Sequence, residues 1–209
     1  MTNTIFPFES KITPGQRKRV MMQEPHLIWL TGLSGSGKTT LALCLEQFFF
    51  NKGFKAFVLD GDNVRTALCK DLGFSEEDRK ENLRRVAEVA KLMLEAGLIV
   101  ISAFISPSRE DRLAIRNIVG DQRFIEVYVN CTVEECEKRD VKGLYAKARK
   151  GIISNFTGIS APYDQPVLPE VEVRTAEESI HESLQKIIDV VEPLVSMAIF
   201  NEDTQNTHP

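Results

Sequence analysis

Short, unbroken apolar runs alternate along the chain with longer stretches in which apolar residues recur every three or four positions. The runs at 26–30, 55–59, 98–104, 124–130 and 171–174 read as strands. Helical spacing covers 38–51, 75–96, 108–118, 132–139 and 176–192. In the longest helix Leu83, Val86, Val89, Ala90 and Met93 form one stripe, Ser75 with Asp78 makes a capping pattern ahead of it, and Gly97 ends it. Apolar runs without alternation suit strands buried on both faces, and helices between them supply the crossovers of a parallel sheet. The fold class expected is α/β: three layers, a five-stranded parallel sheet with helices on both faces and right-handed crossovers.

The two ends break this pattern. Residues 1–24 carry Pro7, Pro14, Gly15 and the basic group Arg17-Lys18-Arg19 with little periodicity, and read as an N-terminal extension. Residues 196–209 finish in a polar run that reads as a disordered tail. One domain at 25–195 lies between them, and a chain of 209 residues with 43% apolar and 27% charged residues has enough material for one sizeable core.

Charge narrows the partners. The formal net charge of −4 gives no extended basic face for coating nucleic acid, yet a few cations in one cleft still suffice for a small anion. No run approaches the roughly 18 apolar residues of a membrane helix. No secretion signal is visible at the start. Cys44, Cys69, Cys131 and Cys136 lack metal-type spacing and read as buried free thiols of a reducing cytoplasm.

The chemistry begins after the first strand. Gly32-Leu33-Ser34-Gly35-Ser36-Gly37-Lys38-Thr39 matches G-x-x-x-x-G-K-[ST], with a strand entering and a helix leaving. Such a loop curls its N–H groups around phosphate oxygens, aided by the positive end of the following helix. Lys38 is expected on the β/γ phosphates of ATP, and the Thr39 hydroxyl on Mg²⁺, with Thr40 beside it. The fold is therefore expected to be of the P-loop nucleoside triphosphate hydrolase type.

Other residues separate a kinase from a switch or motor. There is no Asn-Lys-x-Asp guanine signature, and strand three ends in Ser102-Ala103-Phe104 without an acid. The acids stand after strand two, at Asp60 and Asp62, where parallel topology puts them on the ligand edge beside the phosphate loop. Asp-Gly-Asp-Asn also reads as a simple turn; its edge position and Arg65 one helical turn on favour function. Lys138, Arg139, Lys142, Lys147, Arg149 and Lys150, followed by Gly151, Gly158 and Pro162, suit a mobile lid at about 139–165. Such a lid excludes water, so that phosphate passes to an acceptor.

Six strings in order resemble one family, the adenylylsulfate kinases: 32–39, Asp-Gly-Asp-Asn-Val-Arg (60–65), Leu-Gly-Phe-Ser-Glu-Glu-Asp-Arg-x-Glu-Asn (72–82), Phe-Ile-Ser-Pro-Ser-Arg (104–109), Asp-Val-Lys-Gly-Leu-Tyr (140–145) and Phe-Thr-Gly-Ile (156–159). The resemblance spans about 28–191. It implies transfer of phosphate from ATP to the 3′-hydroxyl of adenosine 5′-phosphosulfate (APS), and a homodimer. It implies that Phe74 and Phe156 sandwich the adenine of APS and that Arg65, Arg79 and Asn82 clamp its phosphosulfate and ribose. Further APS contacts are implied at Ile105, Ser106, Lys142, Gly143 and Leu144, and an ATP contact at Arg149. Ser106 aligns with a serine often described as a phosphoserine intermediate, although direct in-line transfer is usual for this chemistry. Asp62 is the candidate for orienting or deprotonating the 3′-hydroxyl, and Asp60 for holding Mg²⁺ through water; the sequence leaves those two roles interchangeable. Pro162-Tyr163-Asp164 stands where relatives usually carry Pro-Tyr-Glu. A kinase of another small hydroxyl compound is the nearest competing reading, and Phe74 speaks against it, since a polyol needs no stacking platform. A regulatory module that senses APS without turnover is the other; Lys38, Thr39, Asp60 and Asp62 are its counter-evidence.

Overall fold

The structure, a computed structural model, describes residue 6 and residues 10–197. Five parallel strands, β1 (Leu27–Thr31), β2 (Ala56–Asp60), β3 (Ile99–Ala103), β4 (Phe124–Asn130) and β5 (Val171–Arg174), run in the order β2-β3-β1-β4-β5. All five residues of β1 are buried at the centre of the sheet, which explains why that run shows no polar alternation.

Alternation within β1 nevertheless divides the core. Ile28 and Leu30 face α2 (Lys38–Asn51) and α8 (Ile180–Val195), packing with Leu41, Leu45, Phe49, Ile187 and Val191. Leu27 and Trp29 face the opposite layer of α4 (Glu76–Glu95) and α5 (Arg109–Val119), with Val86, Ala90, Leu94 and Ile115. Trp29 is fully buried, stacked on Phe104 at 5.1 Å between ring centroids. A third, smaller cluster joins Leu33, Cys131, Cys136, Tyr145 and Phe156 under the segment that follows α6 (Val133–Arg139) and contains α7 (Leu144–Arg149).

Local signals set the element ends. Ser75 caps α4 by accepting from the Asp78 N–H, and Ser108 and Thr132 cap α5 and α6 in the same way. A capping box between Ser179 and Glu182 starts α8 at Ile180, four residues later than its spacing implies, and the helix continues past Pro193 to Val195.

The structure adds detail to two of the sequence readings and corrects a third, the burial of all four cysteines. The N-terminal extension contains a helix, α1 (Pro14–Met21), with a capping box between Thr13 and Gln16. It buries no residue of its own, so it leaves no apolar stripe to read. Behind it Gln23, fully buried, bonds Lys55 and Gly97, closing the sheet's rear edge. The Asp-Gly-Asp-Asn run is neither a bare turn nor a loop, because Asp60 caps the short helix α3 (Gly61–Thr66). Of the four free thiols only Cys69, Cys131 and Cys136 are buried; Cys44 is partly exposed on α2. The predicted tail from 198 on lies outside the described residues. No helix among the described residues is long and apolar enough to cross a membrane.

Candidate active site

Parallel register brings the chemistry to one edge. Leu30 of β1 and Asp60 of β2 both pair with Ala103 of β3. The phosphate loop leaving β1, the acids leaving β2 and the 104–108 loop leaving β3 therefore start at one level.

In the phosphate loop Gly32, Gly35 and Gly37 all have positive φ. A side chain at Gly32 would put its Cβ 2.5 Å from the Val129 carbonyl of β4, so only glycine fits the loop's first turn. Ser36 is fully buried, and its carbonyl accepts from the Thr175 hydroxyl at 2.8 Å. Leu33 packs in the cluster with Tyr145 and Phe156, and the Ser34 carbonyl accepts from the Tyr145 hydroxyl at 2.9 Å. Lys38 closes the loop: Nζ donates to the carbonyls of Gly32 at 2.9 Å and Leu33 at 2.6 Å. Burial pushes this ammonium down to about 8 from its ordinary 10.5. Thr39 and Thr40 open α2, both exposed.

The Thr39 hydroxyl donates to Asp60 Oδ2 at 2.9 Å, while Asp60 Oδ1 accepts from the Asp62 N–H at 3.0 Å. A hydroxyl and a carboxylate meeting beside a phosphate loop are hard oxygen donors suited to Mg²⁺, which keeps most of its waters. Asp62 is ion-paired with Lys142 across 80 residues of sequence. The two aspartates thus occupy different places: Asp60 meets the Thr39 hydroxyl, and Asp62 meets Lys142.

Beyond α3 lie two arginines that bind main-chain carbonyls. Arg65 donates to the Gly73 carbonyl at 2.7 Å, and its guanidinium lies 4.5 Å from the ring of Phe74. Arg79 donates to the carbonyls of Phe74 and Asn155 at 2.9 and 2.8 Å and to Thr157 Oγ1 at 3.3 Å. Neither arginine has a carboxylate partner among the described residues. Burial, then the charge of Arg65, pushes the Arg79 guanidinium down from its usual value. Phe74 is 69% exposed, whereas Asn82, one turn beyond Arg79, is buried with its side-chain oxygen unpartnered.

The 139–165 segment is tied down at several points. Asp140 accepts from the N–H groups of Tyr145 and Ala146, starting α7 after Gly143, whose φ is +65°. Leu144 is half-buried, and Phe156 is buried edge-to-face on Tyr145 at 4.9 Å. Ile105 is half-buried with its carbonyl accepting from Thr31 Oγ1 at 2.8 Å.

Two sequence expectations meet a different geometry. The Ser106 hydroxyl is 2% exposed; it accepts from Trp29 Nε1 at 3.0 Å and donates to Thr31 Oγ1 at 2.8 Å. Its proton and one of its two lone pairs are engaged inside the fold, so the hydroxyl is held by the protein's own groups. Arg149 is held by Glu137 at 2.8 Å on the exposed side of α6. Arg139 is the arginine on the phosphate loop, donating to the carbonyls of Gly35 at 3.5 Å and Thr175 at 2.6 Å. Its place one residue before the Asp140 cap was the available signal, hidden as one of six cations in that stretch.

A parallel sheet in this order, a phosphate loop after β1 and an acidic pair after β2 define a P-loop kinase of small molecules. Residues 24–174 match the family model described as adenylylsulphate kinase. The adenylyl-sulfate kinase of Staphylococcus epidermidis is 53% identical over 90% of this chain and 94% of its own. That of Bacteroides thetaiotaomicron is 49% identical over 92% and 96%. Among solved structures, the Mycobacterium tuberculosis APS kinase in complex with AMPPNP and APS superposes with a TM-score of 0.78 at 46% identity, over 81% of this chain and 98% of that one. The chain belongs to the adenylylsulphate kinase family, and it is an enzyme that phosphorylates APS with ATP.

Proposed function

We propose how the site performs this transfer. ATP lies on the 32–39 loop, its β/γ phosphates drawing Lys38 away from the carbonyls it holds in the free protein. Thr39, and Asp60 through water, would hold Mg²⁺, which when bound neutralises charge on those phosphates. The APS adenine stacks on Phe74, Arg65 and Arg79 take its anionic phosphosulfate, and Asn82 meets its ribose or base. Lys142 leaves Asp62 for the incoming anion as the 139–165 segment closes with Gly143, Leu144 and Phe156. The freed Asp62 carboxylate orients the 3′-hydroxyl and receives its proton. The 3′-oxygen forms a bond to the γ-phosphorus, the bond from that phosphorus to the β–γ bridging oxygen breaks, and ADP leaves. The enzyme works in the cytoplasm as a homodimer.

One observation carries the acceptor reading: two arginines without carboxylate partners bind at Phe74, Arg65 over its exposed ring and Arg79 on its carbonyl, and one turn beyond Arg79 the buried Asn82 side-chain oxygen has no partner. A polyol acceptor leaves those charges unanswered. The test is ADP release from Mg·ATP with APS, adenosine, gluconate or shikimate. APS-dependent turnover of about 1–100 s⁻¹, giving the 3′-phosphorylated product, is expected. Release that ignores APS and follows another hydroxyl compound overturns the acceptor.

A further inference from the structure

Arg112, on α5, lies outside every motif above and yet is 3% exposed. Its guanidinium reaches three separate segments. Nε donates to Glu126 of β4 at 2.7 Å, Nη1 to the Ser106 carbonyl at 2.7 Å and Nη2 to the Asp164 carbonyl at 2.6 Å. The Asp164 N–H donates in turn to the Pro107 carbonyl at 2.8 Å, and Arg109 reaches Asp164 and Gln165. The chain leaving the lid is thus fastened to the loop leaving β3.

That loop is strained where it is fastened. Ser106 has a φ of +39°, a conformation side-chain-bearing residues seldom adopt. Trp29 and Thr31 hold its hydroxyl, and Arg112 holds its carbonyl. Thr31 Oγ1 gives its proton to the Ile105 carbonyl and meets the Tyr163 hydroxyl at 2.9 Å. Thr31 directly precedes Gly32, and Ile105 follows the Ala103–Asp60 pairing by two residues. The strained loop therefore lies between the phosphate loop and the acids.

We propose that Arg112 is a positioning residue that joins the Ile105–Ser106 loop and the 163–165 anchor of the lid into one rigid piece. The acceptor's seat and the lid's fixed end then keep a single geometry, and lid motion is confined to the residues before Tyr163. The inference rests on placing Ile105 and Ser106 beside the acceptor. Arg112 itself touches no reacting group. A planar fork with donors in three directions performs this task, and a lysine, with one point of charge, does not.

The test is steady-state kinetics of Arg112→Lys in each substrate, beside the wild type. A misplacement of about 1 Å costs on the order of 10²-fold, so kcat/KM for APS is expected to fall about that far while KM for ATP stays within about twofold. A folded Arg112→Lys enzyme with wild-type kcat/KM for APS overturns the proposal, as does equal loss toward both substrates. If Arg112→Lys does not fold, Thr31→Val decides: it removes the hydroxyl that bonds Ile105 and Ser106, and a loss of about tenfold confined to APS is expected. Unchanged APS kinetics in that variant overturn the proposal. A wild-type enzyme whose turnover ignores APS would instead defeat the acceptor assignment, and the coupling with it.

Discussion

Raising the pH from 7 to 9 is expected to weaken ATP binding about tenfold, through Lys38. Burial is the main cause that brings its ammonium to about 8 in the free protein, with the charge of Lys142 acting in the same direction against opposing contributions from Cys136 and Asp60. At pH 9 only about one such side chain in ten is then charged. Triphosphate oxygens favour the ammonium, so the bound form takes up the missing proton. Tenfold in the dissociation constant is about 1.4 kcal/mol. Titration calorimetry in buffers of different ionisation enthalpy reads that uptake directly: small at pH 7 and approaching one proton per ATP at pH 9. A Lys38→Arg protein keeps its charge throughout and is expected to bind with little pH dependence. Unfolding does not mimic the effect. Between about 8 and 10.5 the unfolded chain binds a proton that the folded one lacks, so this group makes the ligand-free protein more stable as pH rises through that window. Equal wild-type affinity at pH 7 and pH 9, with no proton uptake, would refute the reasoning.

The two aromatics are expected to separate in a thermal melt. Phe74→Ala, at an exposed ring, changes stability by less than about 0.5 kcal/mol yet raises KM for APS about tenfold or more through lost stacking; normal KM would remove Phe74 from the acceptor site. Phe156→Ala opens the cluster around Tyr145 and costs about 3 kcal/mol, visible as faster proteolysis of the 140–162 segment, and a wild-type digestion rate would contradict that packing. Lys142→Met breaks a pair whose side chains are 59% and 70% exposed, so the melting temperature moves by no more than about 2 °C while KM for APS rises; a larger thermal loss would show that the pair is structural. Asp60→Asn keeps a side chain able to cap α3, and the Mg²⁺ midpoint of activity is expected to rise about tenfold; an unmoved midpoint would place the metal elsewhere.

What could be read from the sequence is what neighbouring residues encode. Apolar runs matched β4 and β5 to the residue, and helical spacing matched α2, because each signal lies within the segment itself. The phosphate loop was legible for the same reason: strand, glycines, lysine and helix are contiguous. α1 escaped because it is short and buries nothing; only Thr13, Pro14 and Gln16 at its start marked it. The site was legible as a set of residues but not as an arrangement. The pairing of Lys142 with Asp62 spans 80 residues, that of Arg112 with Asp164 spans 52, and no local pattern announces either. Ser106 shows the limit most plainly. Its neighbours mark a functional loop, yet its burial depends on Trp29 and Thr31, which belong to a strand 75 or more residues earlier.

The Glu24 N–H donates to the Val195 carbonyl at 2.8 Å, so the segment leading into β1 and the end of α8 meet at almost the same point. That point lies at the start of β1, across the full length of the strands from the phosphate loop. The body is accordingly built as a pluggable module. A second domain fused at either side would sit behind the sheet, across the strands from the phosphate loop and the acids of β2.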